Sequence, residues 1–156
     1  MLSSPKHASA HDTLRERIRS AQTITPDLVS DVLDASCVRL PCLNRSGIVA
    51  ERIARLRQSS AWIDLCLLLI SVELPGWTLR RLVYDDGEWH CALSYRPNLP
   101  VELDDTVDAS HHDLPLALLL AFVTARRDAA AIARESVTVP TVEPAAAHVV
   151  CCDNFA

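Results

Sequence analysis

The chain has 156 residues and a formal net charge of −5, with 15 basic and 20 acidic side chains, and its length favours one domain over two. The acidic balance disfavours proteins that bind nucleic acid through phosphates, because that class carries a strongly basic surface. Hydrophobic residues make up 49% of the chain and aromatic residues only 4%, so the core must consist mainly of Leu, Val, Ile and Ala.

The longest apolar stretches, Leu65–Ile70 and Leu114–Val123, are much shorter than the roughly 18–20 residues that cross a bilayer. No membrane partner is therefore expected. The N-terminal stretch shows no secretory signal, so we expect a cytoplasmic protein whose six cysteines are reduced thiols.

Residues 1–24 are predicted to form a weakly ordered N-terminal segment. Leu14 and Ile18 have the spacing of a short helix, but its other faces would be polar. At the other end, residues 136–156 lack a helical period and contain two prolines, which predicts a flexible C-terminal tail. A single α+β domain is predicted over residues 25–135.

Three helices are predicted in the first part of this domain. Thr25 can cap a helix and Pro26 suits the first helical position, which predicts a helix over 26–35. An amphipathic surface helix follows over 46–58, and then a helix over 60–73 that is apolar on nearly every side and should be buried. The apolar stripe of the surface helix consists of Ile48, Val49, Ile53 and Leu56.

The stretch WTLRRLVYDDGEWHCALSYRP predicts a β-hairpin with strands at about 77–84 and 88–96. Two registers are compatible with its turn. A two-residue loop of Asp86 and Gly87 would pair even positions of the first strand with odd positions of the second. A three-residue loop that starts at Asp85 would pair odd positions with odd positions.

We favour the three-residue loop because of the apolar face that it produces. In that register Trp77, Leu79 and Val83 join the face that carries Trp89. Its weakness is Arg81, which then lies on the same apolar face and must sit at an edge or be paired.

A polar connector with a short edge strand near Val107 precedes a last helix over about 113–134, whose first half is almost wholly apolar. The predicted fold class is α+β: a small antiparallel sheet built on the hairpin, with the helices over 46–58, 60–73 and 113–134 packed on its apolar face. Two such apolar helices offer more surface than one hairpin can bury, which predicts a homodimer through the remaining helix surface.

The richest polar cluster lies in the connector from Glu102 to Asp113. Carboxylates and imidazoles together could hold a divalent metal. We prefer the simpler interpretation of a solvated connector that ends in a helix cap, because acidic residues at a helix start need no metal to explain them. The members of the cluster are Glu102, Asp104, Asp105, Asp108, His111, His112 and Asp113.

The cysteines form no strong site in the sequence. His90 and Cys91 are neighbours in a strand and point to opposite faces, so they cannot act as base and nucleophile. Cys37 and Cys42 have the spacing C-x4-C without a clear second pair in the domain, and structural zinc usually needs two pairs. The predicted tail adds His148, Cys151 and Cys152.

Nucleic acid is a disfavoured partner. The three glycines fall in no phosphate-binding pattern. The helix over 46–58 carries an arginine face, Arg45, Arg52 and Arg55, that could touch phosphates. Pairing of Glu51 with Arg55 explains part of that face without a ligand.

A tryptophan-bearing hairpin followed by a helix rich in alanine and leucine resembles the phage ABA-sandwich family of small phage and prophage proteins. The matching positions are Trp77, Gly87, Trp89, Pro115, Ala117 and Ala121. The resemblance implies a helix–sheet–helix layered fold and a bacterial or phage-related origin, but no activity, because that family has no established one. The helical stretch over 25–60 departs from the family pattern.

The sequence assigns no residue a catalytic, cofactor-binding or metal-binding role, because no nucleophile, base and anion hole converge in its pattern. It favours a non-catalytic protein–protein interaction or assembly module that binds a protein partner or a second copy of itself. Two alternatives stay open: a small metal-dependent enzyme that uses the Glu102–Asp113 connector, and a weak nucleic-acid binder that uses Arg45, Arg52 and Arg55.

Overall fold

The computed structural model of the chain describes residues 5–43, 47–100 and 103–136. The helices in these ranges are α1 (Pro5–Ser20), α2 (Pro26–Ser36), α3 (Leu40–Leu43), α4 (Ile48–Gln58), α5 (Trp62–Glu73) and α6 (Leu114–Ser136). The strands are β1 (Thr78–Asp85), β2 (Glu88–Ser94) and β3 (Thr106–His111). The predicted tail lies outside the described residues apart from Ser136. Of the helices described, none is long and apolar enough to cross a membrane.

The three strands form one antiparallel sheet in the order β1-β2-β3, which confirms the predicted α+β class. The short edge strand expected near Val107 is β3. Helix α6 packs on β2 and β3, and α5 packs beside α6. The sheet therefore has a helix-covered face, and β2 is its central strand.

The hairpin turn corrects our preferred register. Asp85 pairs with Glu88, so the loop has two residues, Asp86 and Gly87, with φ angles of +51° and +85°. Positive φ at both loop positions is the primed turn whose twist matches that of the flanking strands. Aspartate tolerates this conformation better than most side chains, so the shorter loop is not penalised at Asp86.

A β-bulge between Leu79 and Arg81 explains why the pattern was misleading. Near the turn, Leu82 lies opposite Cys91 and faces the helices, as in the two-residue register. Beyond the bulge the register shifts by one residue, and Leu79 lies opposite Leu93 on the same face. The prediction that Val83 joins the apolar face is wrong, because Val83 pairs with His90 on the opposite face.

The first half of α6 is the centre of the core. Every residue from Leu116 to Val123 is at most 4% exposed. A helix that is apolar on all sides has to be surrounded, and α6 is contacted by α1, α2 and α5 as well as by the sheet. Each large aliphatic side chain buried in this way contributes roughly 1.5–3 kcal/mol relative to an exposed one.

Helix α1 corrects the prediction of weak order for residues 5–20. Leu14 and Ile18 are 5% and 0% exposed, and the helix packs against α6. A narrow apolar stripe is enough to hold α1 in place, because α6 supplies the matching surface from the far end of the chain.

Helices α4 and α5 are less buried than their patterns predict. On α4, Ile53 is 8% exposed whereas Ile48, assigned to the same stripe, is 67% exposed at the helix start. On α5, Ile63 and Leu67 remain 40% and 39% exposed. The prediction that α5 is buried on every side is therefore wrong for these two positions.

Candidate interaction surface

The side chain of Asp104 organises one end of the sheet. Its carboxylate is fully buried and accepts hydrogen bonds from four groups on three segments. The donors are Arg80 Nη1 at 2.6 Å, the Arg96 amide at 2.8 Å, Thr106 Oγ1 at 2.9 Å and the hydroxyl of Ser94. Asp104 thus ties the bulge in β1 to the end of β2 and the start of β3.

These hydrogen bonds determine the protonation state of the Asp104 carboxyl group. Burial acts to raise the pKa of the carboxyl group, but the hydrogen bonds that it accepts outweigh burial and lower the pKa to about 2. The carboxylate stays charged at neutral pH with its lone pairs occupied by protein donors. It is neither a proton acceptor poised near pH 7 nor a free metal ligand.

The rest of the predicted connector cluster does not converge on Asp104. His111 is buried, and its Nδ1 accepts from the Asp113 amide at 3.0 Å. Nε2 of His112 donates to the Gln22 carbonyl at 2.9 Å, which links the start of α6 to the segment after α1. Among the residues described, no three His, Cys, Asp or Glu side chains are grouped to hold a metal ion. Glu102 lies outside the described residues.

A second polar cluster is formed by Glu73 and Arg126, which the sequence reasoning missed. The Glu73 carboxylate is buried and accepts from the amides of Arg39, at 2.9 and 3.0 Å, and Leu40, at 2.7 Å. Nη2 of Arg126 lies 3.9 Å from the Glu73 carboxylate, and Nε donates to the Ser36 carbonyl at 2.9 Å. The sequence did contain one signal for this cluster: Glu73 is a charged residue at the end of a helix that is apolar over most of its length.

Glu73 and Arg126 also border a cleft of about 290 Å³ that contains Trp77 and Tyr95. The two aromatic rings lie 5.6 Å apart. Three charged side chains line this cleft, Arg39, Glu73 and Arg126, and the last two are engaged by the protein itself. The cleft lies between the end of α5, α6 and the loop before α3. Its described lining contains no nucleophile with a nearby base.

Three of the described thiols are not activated. Burial raises the pKa of Cys37, Cys66 and Cys91 to about 12 in each case, so all three are neutral at physiological pH. Cys42 is exposed. The tail residues His148, Cys151 and Cys152 lie outside the described residues.

The predicted arginine face is only partly described. Arg45 lies outside the described residues. Arg52 and Arg55 are exposed on α4, and Nη2 of Arg55 lies 3.3 Å from the Glu51 carboxylate. That pair is the helical i, i+4 contact expected from the sequence.

The exposed apolar surface of the sheet lies on β1. We define the β1 edge as Arg81, Leu82, Val83, Tyr84 and Asp85. Val83 and Tyr84 are 45% and 57% exposed, and the Tyr84 ring packs on Trp89 at a centroid distance of 5.1 Å. The Tyr84 side chain is thus held in place while much of its surface faces solvent.

The backbone of the β1 edge is open as well. In a two-residue hairpin the residues that flank the loop exchange both backbone hydrogen bonds, and such pairs alternate along the strands with pairs that exchange none. Asp85 and Val83 therefore direct their polar backbone groups toward β2, whereas Leu82 and Tyr84 direct theirs away from it. Within the described sheet, β1 has β2 as its one neighbour, so these groups meet no strand.

The β-bulge of β1 lies at one end of the strand only. Bulges and charged side chains usually prevent strand edges from pairing with other chains. Here the bulge and Arg80 come before the β1 edge, and the charged residues of the edge itself stand at its two ends. Leu82, Val83 and Tyr84 form an uncharged, regular stretch between them. The opposite edge strand β3 differs, because it carries the polar residues Asp108 and Ser110.

Comparison with known protein families, with curated proteins and with solved structures finds no match for this chain.

Proposed function

We propose that the protein is a non-catalytic interaction module that binds a protein partner through the β1 edge. The observation that carries this proposal is an apolar strand edge that combines exposed side chains with open backbone groups at Leu82 and Tyr84. Strand addition to such an edge supplies backbone hydrogen bonds, and side-chain contacts then select the partner.

The polar clusters support the interaction module over the two alternatives. Asp104 is saturated by protein donors and Nε2 of His112 is bonded to the Gln22 carbonyl, so the connector offers little to a metal-dependent enzyme. On α4, one arginine of the proposed nucleic-acid face is paired with Glu51. The resemblance to the phage ABA-sandwich family stays a prediction and adds no activity.

Site-specific photo-crosslinking tests the proposal. A photoreactive p-benzoylphenylalanine replaces Tyr84, and for comparison Arg52 on α4, which is also exposed. In cells that make the protein, we expect a covalent adduct of defined mass from position 84 and none from position 52. Equal labelling from both positions, or no adduct from position 84, would contradict the proposal.

A lysine substitution in the β1 edge tests whether strand pairing at this edge produces the adduct. Val83→Lys places a charge in the middle of the edge, a device that keeps natural edge strands from pairing, and should abolish the adduct from position 84. Ile48→Lys is the control, because Ile48 is an exposed aliphatic residue on a helix far along the chain from β1. This control should leave the adduct unchanged.

A further inference from the structure

We infer that the occupant of the β1 edge is a second copy of this chain, paired antiparallel through Arg81–Asp85 with Val83 on the twofold axis. The inference rests on the proposed function and specifies its partner. The resulting assembly is a six-stranded antiparallel sheet in the order β3-β2-β1-β1-β2-β3.

The order of charges along the edge favours a second copy. An arginine stands at one end of the edge and an aspartate at the other, with three apolar residues between them. In an antiparallel pair centred on Val83, Arg81 of each copy lies opposite Asp85 of the other, and the two ion pairs are equivalent by symmetry. A parallel pair would instead place Arg81 opposite Arg81.

The backbone geometry selects the same register. A pair centred on Val83 places Leu82 opposite Tyr84 of the other copy, so the outward-directed backbone groups of both residues meet each other. Arg81, Val83 and Asp85 alternate with them and share the sheet face away from α6. The charged pairs thus lie on one face and the Leu82–Tyr84 contacts on the other.

Neighbouring registers lose the ion pairs. A pair centred on Leu82 sets Arg81 against Val83 and Asp85 against Leu79. A pair centred on Tyr84 sets Val83 against Asp85 and leaves Arg81 without a partner from the other copy. Only the centre at Val83 matches both charges, so charge complementarity distinguishes it from the others.

The intramolecular contact of Arg81 does not prevent this pairing. Nη2 of Arg81 lies 3.4 Å from the Asp108 carboxylate, and the two side chains are 60% and 65% exposed. An exposed pair of this kind contributes little to stability. Asp85 has no cationic side chain within 4.0 Å among the residues that the structure describes, so it is available to the second copy.

Sedimentation velocity of the purified full chain, with two charge-reversal variants, tests the inference. The wild type should pass from monomer to dimer over roughly 5–500 µM, the range expected for a small interface. Arg81→Asp and Asp85→Arg each place like charges opposite one another twice per dimer, so each should weaken self-association by roughly tenfold or more. An equimolar mixture of the two variants should recover dimers, because opposite charges then face each other at both positions.

Arg52→Asp is the control for the change in net charge, and it should dimerise like the wild type. Hydrogen exchange on the wild type needs no variant: the amides of Leu82 and Tyr84 should become protected as the protein concentration rises.

A wild type that stays monomeric throughout the range overturns self-pairing, and so does a dimer that survives both charge reversals. If the wild type is monomeric but position 84 still crosslinks to a different protein, the interaction function stands and only the identity of the partner is wrong.

Discussion

Glu73 shows how a single buried charge can determine the local path of the chain. Its carboxylate binds the amides of Arg39 and Leu40 at the start of α3, and Arg126 reaches from α6 to the carbonyls of Ser36 and Glu73. A buried charge is tolerated only when its hydrogen-bonding capacity is used in this way. The cluster therefore fixes the segment between α2 and α3 against the end of α5.

Glu73→Gln should lower the free energy of unfolding by about 3 kcal/mol, because it removes the charge beside Arg126 and directs an N–H group toward amides that are themselves donors. Chemical denaturation of the variant and the wild type measures this difference. Glu16→Gln is the control, because Glu16 is 74% exposed and pairs loosely with Arg19 at 3.8 Å. A loss for Glu73→Gln no larger than that of the control would show that the cluster does not stabilise the fold.

At the scale of elements, α1 and α6 depend on each other although they lie at opposite ends of the chain. Ile18 is fully buried where α1 packs on α6. The apolar first half of α6 has a face that the sheet cannot cover, and α1 covers part of it. The stability of α1 therefore comes from this contact rather than from its own sequence, which is mostly polar.

Ile18→Ala should lower the free energy of unfolding by about 2–5 kcal/mol, because it removes a buried side chain and leaves a cavity against α6. Ile48→Ala is the same substitution at a helical position that is 67% exposed, and it should change stability by less than about 0.5 kcal/mol. Denaturant titration of both variants compares them directly. Equal losses would mean that α1 does not pack on the core as described.

The sequence predicted those elements whose pattern is local. The cap at Thr25, the periodicity of α4 and α5, and the Asp-Gly turn placed α2, α4, α5 and the hairpin correctly within a few residues. The register of the hairpin could not be predicted in the same way, because it includes a bulge at Arg80. The Arg80 side chain contacts Asp104 and the Leu99 carbonyl, which lie outside β1, so the local sequence of β1 does not reveal the bulge. Helix α1 was missed for a similar reason, since its partner lies about a hundred residues away.

At the scale of the whole molecule, these two errors altered where an interaction surface was expected. With residues 1–24 expected to be weakly ordered, the predicted helices over 60–73 and 113–134 offered more apolar surface than one hairpin can bury, and a second copy was the expected cover. The structure covers α6 with α1 and the third strand instead. Within the described sheet, the exposed large apolar residues are on β1, and the shorter loop places Val83 there on the solvent-facing side of the sheet. The candidate site therefore depended on a register that the sequence alone left open.

Asp104 couples the whole sheet to pH. Its folded pKa of about 2 lies below the ordinary value of 3.8, so its contribution to stability is fully present above about pH 4 and is lost as the pH falls toward 2. Asp104→Asn removes that contribution at every pH. The variant should therefore be clearly less stable than the wild type near pH 7, and the difference between them should shrink as the pH approaches 2.

Urea unfolding midpoints from about pH 7 down to about pH 2.5 measure this convergence for the wild type and for Asp104→Asn. Asp105→Asn is the matched control, because Asp105 is the exposed neighbour and its side chain bonds to none of the groups that hold Asp104. A stability difference for Asp104→Asn that stays constant with pH would show that the carboxylate acts through its shape alone. Convergence would instead show that its charge, held at once by donors from β1, from the end of β2 and from β3, keeps that end of the sheet together.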